Sequence, residues 1–408
     1  MHGNPVERLQ SVAVVVAAAA VAFLVLQDAF EVMLLPRRVQ RRARFAVVYF
    51  RTMWRGFSTL ATSLKPRRGR EAVLSHFGAL AMLGLFASWA AGLILSFGVL
   101  DWALEPAAKA SAHERSLLDQ IYMSGATFFT LGYGDVVPHT GVTRLLAVLE
   151  AGVGLGFIAL VIGYLPLIHQ LFSAREVLVI QLDSRAGSPP TAAGLLGRHA
   201  NNLDELDDFL RSWEVWGAQL LEGHLSYPML AYYRSQHDNQ SWLAALTAVT
   251  DCCALIIVGV DGAKVFQARM TFEVMRQVAV EMARSFRIAP SRYTGGDRLP
   301  VEASVRLQAA LTEDGIELAA GGQAFEALRA LRSTYEPLLD GLAQYLMLTL
   351  PDWIPDDEAA DHWTRGHRGL MAARVLEQLT KMPNGYLAGS AAGQVKPWRR
   401  LRAWLRQE

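Results

Sequence analysis

The chain has 408 residues, 52% of them hydrophobic, with a mean hydropathy of +0.20 and a formal net charge of +1. It is too apolar for an ordinary soluble globule, yet it carries 19% charged residues, so a membrane part joined to a soluble part is expected. The near-zero net charge hides a strongly basic segment early in the chain, no nucleic-acid partner is expected, and Cys252 and Cys253 are adjacent and so badly placed to bridge one another.

Residues 11–35 form the first apolar run, long enough to cross a hydrocarbon core that needs about 20 helical residues. Positive charge follows this run instead of preceding it, which favours a retained spanning helix over a cleaved leader. Asp28 and Glu31 near its end are expected at the interface or facing protein. From Arg37 to Arg70 every charged side chain is basic. By the positive-inside rule that segment is cytoplasmic and the N-terminus lies outside. Its arginines lack the every-third spacing of a voltage sensor, and contact with anionic lipid suits them better, with Phe45 to Leu64 lying along the inner surface as an amphipathic helix.

The second apolar run, 72–100, leads outward, and Gly78, Gly84 and Gly92 suit close helix packing. Residues 101–119 follow, where Asp101, Glu105, Glu114 and Asp119 outnumber Lys109 and Arg115. An acidic excess there would concentrate cations at an outer mouth. Residues 116–129 are too short to span and fit a re-entrant helix, which membrane depth tolerates only where protein or a cavity surrounds its end. The stretch Thr130-Leu131-Gly132-Tyr133-Gly134-Asp135 comes next, its glycines free to take backbone conformations that let a row of carbonyls point one way. The third run, 141–172, returns the chain to the cytoplasm. Glu150 in its midst must find a partner or stay protonated, and it either braces the re-entrant helix or faces an ion cavity. Pro166 removes one helical hydrogen bond near the inner end, a natural kink.

The sequence T-L-G-Y-G-D resembles the selectivity filter of the tetrameric potassium channels, whose usual form is T-V-G-Y-G-D. Leu131 is the single departure, and the ligand there is the carbonyl, not the side chain. The resemblance implies that the carbonyls of Thr130, Leu131, Gly132 and Tyr133 form stacked cages for K+ as the permeant species, with no other metal or cofactor and no catalysed reaction. It implies that Gly134 and Asp135 form the outer lip, that Gly154 occupies the hinge-glycine position of the inner helix, and that four copies close the ring as a homotetramer. Family members often hold the filter aspartate with a pore-helix glutamate. Here that position is Ala126, so Tyr122 is expected to partner Asp135, with Glu150 as further support. A non-conducting membrane sensor or assembly protein that keeps the pore fold is the alternative.

Beyond Phe172 the character changes. A linker is expected at 176–201, where turn residues cluster, and Val177 to Leu182 could pass for a strand, but no G-x-G-x-x-G follows. The rest reads as helical by period, at 202–222, 240–260, 264–288, 301–312, 323–350 and 357–381. Trp242 to Val260 is apolar enough for a fourth span, but Thr247, Thr250 and Asp251 share one face, which favours a buried helix of a soluble bundle. Arg234, His237 and Asp238 are candidates for an unknown cytoplasmic ligand, against the plainer reading of a helix start capped at Asn239 or Ser241. Lys396 to Arg406, with Trp398 and Trp404, form a basic aromatic tail. The expected fold is therefore an all-α membrane protein of the cell membrane: an N-terminal span and basic segment (1–71), a potassium-channel pore domain (72–175), the linker, and a helical cytoplasmic regulatory domain (202–408).

Overall fold

The structure, a computed structural model, describes residues 5–35, 45–64, 67–105, 116–200, 202–235, 240–289, 296–319 and 322–355. Met1–Ile354 forms one compact unit. The second unit, Pro355–Glu408, holds the expected 357–381 helix and the basic aromatic tail, which lie outside the described residues. Every regular element described is a helix, and extended pairing is confined to one isolated bridge between Val260 and Leu318.

Three helices open the chain: α1 (Pro5–Met33), α2 (Phe45–Ser63) and α3 (Arg67–Leu104), with α1 packed along α3. Asp28 is buried and faces protein. Its Oδ2 accepts the Trp89 indole N–H of α3 at 2.9 Å and the Ala46 backbone N–H at 3.2 Å. An acid in an apolar helix is thereby spent on an orphan amide at the start of α2, which a helix N-terminus leaves open. Glu31 is buried as well and accepts from Gln27 one turn earlier.

Ala46, Phe50, Trp54 and Ala61 form the buried face of α2. The surface-lying helix expected from sequence is therefore docked on protein along one side. Phe50 stacks on Tyr232 with ring centroids 6.2 Å apart, Trp54 packs edge-on against Phe77 at 4.9 Å, and the Trp54 indole donates to the Tyr345 carbonyl at 2.9 Å. Phe45, Val48 and Leu60 remain exposed on the other side.

After the short helix α4 (Leu117–Phe128), α5 runs unbroken from Gly141 to Ala186, 46 residues through Pro166. The segment read as a linker is mostly helical: α5 continues to Ala186 and α6 (Ala192–His199) follows after one turn. Val177 to Leu182 is helix, not strand, because Val179 and Leu182 continue the buried stripe of α5. The remaining helices are α7 (Leu203–Ser226), α8 (Trp242–Gly259), α9 (Val265–Phe286), α10 (Val301–Glu313), α11 (Gly322–Ser333) and α12 (Glu336–Leu346).

Among the described residues four helices are long and apolar enough to cross a membrane, and burial separates them. The most apolar window is 11% buried in α1 and 17% in α5, but 83% in α8. A lipid-facing helix leaves its side chains to the bilayer, whereas one apolar all round and covered by protein is a core helix. Every residue of α8 from Trp242 to Ile256 is buried, so α8 is the centre of the helical bundle. Its hydroxyls are satisfied locally, Thr247 and Thr250 donating to the Leu243 and Leu246 carbonyls. Asp251 is held from outside: Arg298 donates to it at 2.7 Å and the Tyr335 hydroxyl at 2.7 Å. Arg298 also reaches Glu336 at 3.1 Å, and Glu336 pairs with Arg332 at 2.9 Å. A buried network of this kind is tolerated because each charge meets an opposite one.

Candidate ion-conduction site

The site is built around α4. Ser116 caps its start by accepting the Leu118 amide, and its 12 residues reach only about 18 Å, well short of a bilayer core. The helix is clamped by two glycines. A Cβ at Gly98 on α3 would stand 2.7 Å from the Ile121 Cα, and one at Gly154 on α5 would stand 2.1 Å from the Phe128 carbonyl oxygen. Only a hydrogen fits at either point, so both neighbours approach the α4 backbone directly.

At the C-terminal end of α4 the chain turns back on the helix. Thr130 N–H donates to the Thr127 carbonyl at 3.0 Å and Leu131 N–H to the Ala126 carbonyl at 2.7 Å. Thr130, Gly132 and Gly134 then take left-handed backbone angles, φ +57°, +60° and +76°, alternating with ordinary values at Leu131 and Tyr133. Alternating handedness turns successive carbonyls of an extended segment to the same side. Glycine meets this requirement freely, whereas Thr130 does so as a β-branched residue, a conformation that persists only when its surroundings impose it. Thr130 and Asp135 are exposed here, as are Leu131, 55% accessible, and Tyr133, 68% accessible.

Tyr122 lies in side-chain hydrogen-bond contact with Asp135. Glu150 is fully buried and faces α4, not a cavity. Its Oε1 meets the Ser124 hydroxyl, which also lies 2.8 Å from the Ile94 carbonyl. Ser124 has one hydroxyl hydrogen for two acceptors, so one contact requires a proton from the other side, and of the two only Glu150 can carry one. α3, α4 and α5 are thus tied through a single serine. Asp101, also fully buried, lies within electrostatic reach of Glu105 and Glu150. Glu105 accepts from the Thr143 hydroxyl at 3.0 Å, and Thr143 with Thr140 forms the capping box that starts α5. Sequence reading missed Ser124 and Gly98. The signal available was a hydroxyl in an apolar helix, which needs a partner as a buried acid does.

Of the ligand candidates of the cytoplasmic half, Arg234 lies among the described residues. Arg234 donates to the Leu346 and Met347 carbonyls at 2.6 and 3.1 Å and lies 3.6 Å from Glu71. It satisfies carbonyls that the end of α12 leaves open and ties them to the start of α3 through its two terminal nitrogens. His237 and Asp238 lie outside the described residues, and Ser241 caps α8 by accepting the Ala244 amide. Among the described residues no cluster of three or more His, Cys, Asp or Glu side chains could hold a metal ion.

Residues 82–166 match the family model described as ion channel, a span running from within α3 through α4 to Pro166 of α5. The chain is similar to the uncharacterized membrane protein YdjJ of Bacillus subtilis (strain 168), 24% identical over 191 residues that make up 46% of this chain and 55% of that one. It is also similar to protein LctB of Bacillus caldotenax, 34% identical over 90 residues, 20% of this chain and 66% of that one. The chain thus spans about half the length of the first relative and just under two thirds of the second. No solved structure matches. Helices of spanning length and the family match together describe an all-helical, multi-pass membrane protein that contains a pore segment of ion-channel type.

Proposed function

We propose that the chain is one subunit of a potassium-selective channel in which four copies of Thr130 to Asp135 close a filter around the symmetry axis. The observation that carries this reading is the alternating left-handed backbone at Thr130, Gly132 and Gly134 within T-L-G-Y-G-D, at the carbonyl end of α4. Carbonyl oxygens stacked in this way can replace the hydration shell of K+, and the negative end of the α4 dipole favours a cation beside them. Four-fold closure supplies the oxygens that one chain lacks. The exposed apolar side chains Val148, Leu149, Leu155 and Ile162 on α5 fit a helix covered by further copies and by the pore.

Ions would move passively down their gradient, with no reaction catalysed. The basic segment would lie in the cytoplasm against anionic lipid, with the N-terminus outside and the helical bundle below the membrane. Gating would act through α5, which reaches without interruption from Glu150 behind the filter to Arg175, held by the Leu230 and Tyr233 carbonyls at 3.0 and 2.9 Å.

Flux from K+-loaded vesicles tests the reading. The reconstituted chain should pass K+ well above Na+, and Tyr133→Ala should abolish the preference. No flux from assembled protein, unchanged by Tyr133→Ala, would instead favour a non-conducting sensor or assembly role.

A further inference from the structure

We propose that α5 continues below the membrane as a parallel four-stranded coiled coil, in which Ser173, Val177, Ile180 and Ser184 of each copy meet the same residues of the other copies. The four-fold arrangement rests on the filter reading above, and the contact itself is read from α5.

Depth removes lipid as the cover of this segment. At 1.5 Å per residue Val177 stands about 54 Å along α5 from Gly141, or about 41 Å below it if the helix tilts by about 40°, whereas a hydrocarbon core is about 30 Å thick. Protein covers the helix there on one side. Val179, Leu182 and Ala186 are buried, and Arg175 is held by the Leu230 and Tyr233 carbonyls. On the opposite side Ser173, Ala174, Val177, Ile180, Gln181 and Ser184 are exposed, Val177 by 49% and Ile180 by 48%.

That exposed face has the wrong chemistry for water. A helix with one side on protein and the other in solvent turns its charges outward. This one does the reverse: Arg175 and Glu176 are buried and paired at 2.9 Å, Arg185 lies over the Phe209 ring at 4.8 Å, and Asp183 is half-buried. None of the six exposed residues is charged.

Spacing names the occupant. From Gly152 to Ser184 an exposed residue recurs without a break at alternating steps of four and three. That is the seam of a left-handed coiled coil, and it is a single face from the membrane segment, where Gly152, Gly156 and Gly163 have open space beside them, to the end of α5. Copies related by rotation about the filter axis bring this face together in parallel and in register. Val177 and Ile180 fall at successive core positions of the repeat, and β-branched side chains at both favour more than two strands.

The test uses the full-length reconstituted protein with Ser173→Cys, Val177→Cys, Ile180→Cys or Ser184→Cys on the seam and Ala174→Cys or Gln181→Cys beside it. Cys252 and Cys253 are fully buried, so the parent chain gives the background. Oxidation should join chains at the seam positions and leave the flanking ones at background. Ile180→Asp should suppress the Val177→Cys crosslink, and Ile180→Leu should keep it. A nitroxide on Val177→Cys should show spin–spin broadening that dilution with unlabelled chains removes. The proposal is overturned if seam and flank crosslink alike, or if the nitroxide is relaxed by oxygen, as lipid contact requires, or by a water-soluble nickel complex, as open solvent requires. Native mass spectrometry separates the two readings. Four chains with no seam crosslink would overturn this interface and leave the filter reading standing, whereas seam crosslinks without K+ selectivity would do the opposite.

Discussion

Gly154 of α5 stands so close to the end of α4 that a methyl group in place of its hydrogen would lie 2.1 Å from the Phe128 carbonyl oxygen and 2.8 Å from its carbonyl carbon. The obstacle is backbone, which cannot swing aside as a side chain can. Gly154→Ala should therefore push α5 off α4 and destabilise the pore unit by about 1–3 kcal/mol, as overpacking does. The control is Gly156→Ala, where nothing lies within 4 Å of the added carbon and the gain in helix propensity should leave stability level or higher. Thermal unfolding of both purified variants decides between roles for Gly154. Loss of stability identifies a close-contact glycine, whereas unchanged stability with altered flux would identify a hinge.

The Ser124 to Glu150 contact leads to a second prediction. If Glu150 supplies the proton, an amide that donates in its place should preserve the link among α3, α4 and α5. Glu150→Gln should then unfold within a few degrees of the parent chain. Glu150→Ala should lose more, because it leaves a void and withdraws the donor from Ser124, together about 2–4 kcal/mol. Equal losses in the two variants would show that the contact depends on a charged carboxylate.

The pore unit was the most legible part of this chain because its rules are local. A span needs a minimum apolar length, a filter needs glycine at particular steps, and an acid inside an apolar helix needs a partner. Those rules led to α3, α4, α5 and the singular position of Glu150, and the polarity of one face of α8 pointed to the buried helix that it is. What stayed hidden depends on pairs distant in sequence. Ser124 reads as an ordinary hydroxyl until Ile94 and Glu150 are brought to it, and Arg234 reads as a ligand donor until the end of α12 arrives with two open carbonyls. Likewise, the turn residues after Asp183 suggested a loose linker, though buried Leu182, Ala186, Leu195 and Leu196 make the segment part of the core. Composition reports which residues can turn, not whether a neighbouring helix covers them.

His224 gives the last prediction, for the pH dependence of the helical bundle. Burial, followed by the Arg175 charge, pushes its pKa down to about 3 from an ordinary 6.5. Between these values the unfolded chain binds a proton that the folded chain refuses, so stability is greatest above the unfolded pKa and falls as pH drops. At about 1.4 kcal/mol per unit, acidification from pH 7 to pH 5 should cost about 2 kcal/mol. Glu336 works the other way: burial and the Asp251 charge raise its pKa despite Arg298 and Arg332, so protonation favours the folded state in its own window. The two effects separate in the variant. His224→Phe keeps an aromatic ring against Trp242 and removes the titrating group, so its melting temperature should fall less between pH 7 and pH 5 than that of the parent chain. Parallel pH profiles for the two proteins would mean that His224 takes up its proton as readily in the fold as in the unfolded chain.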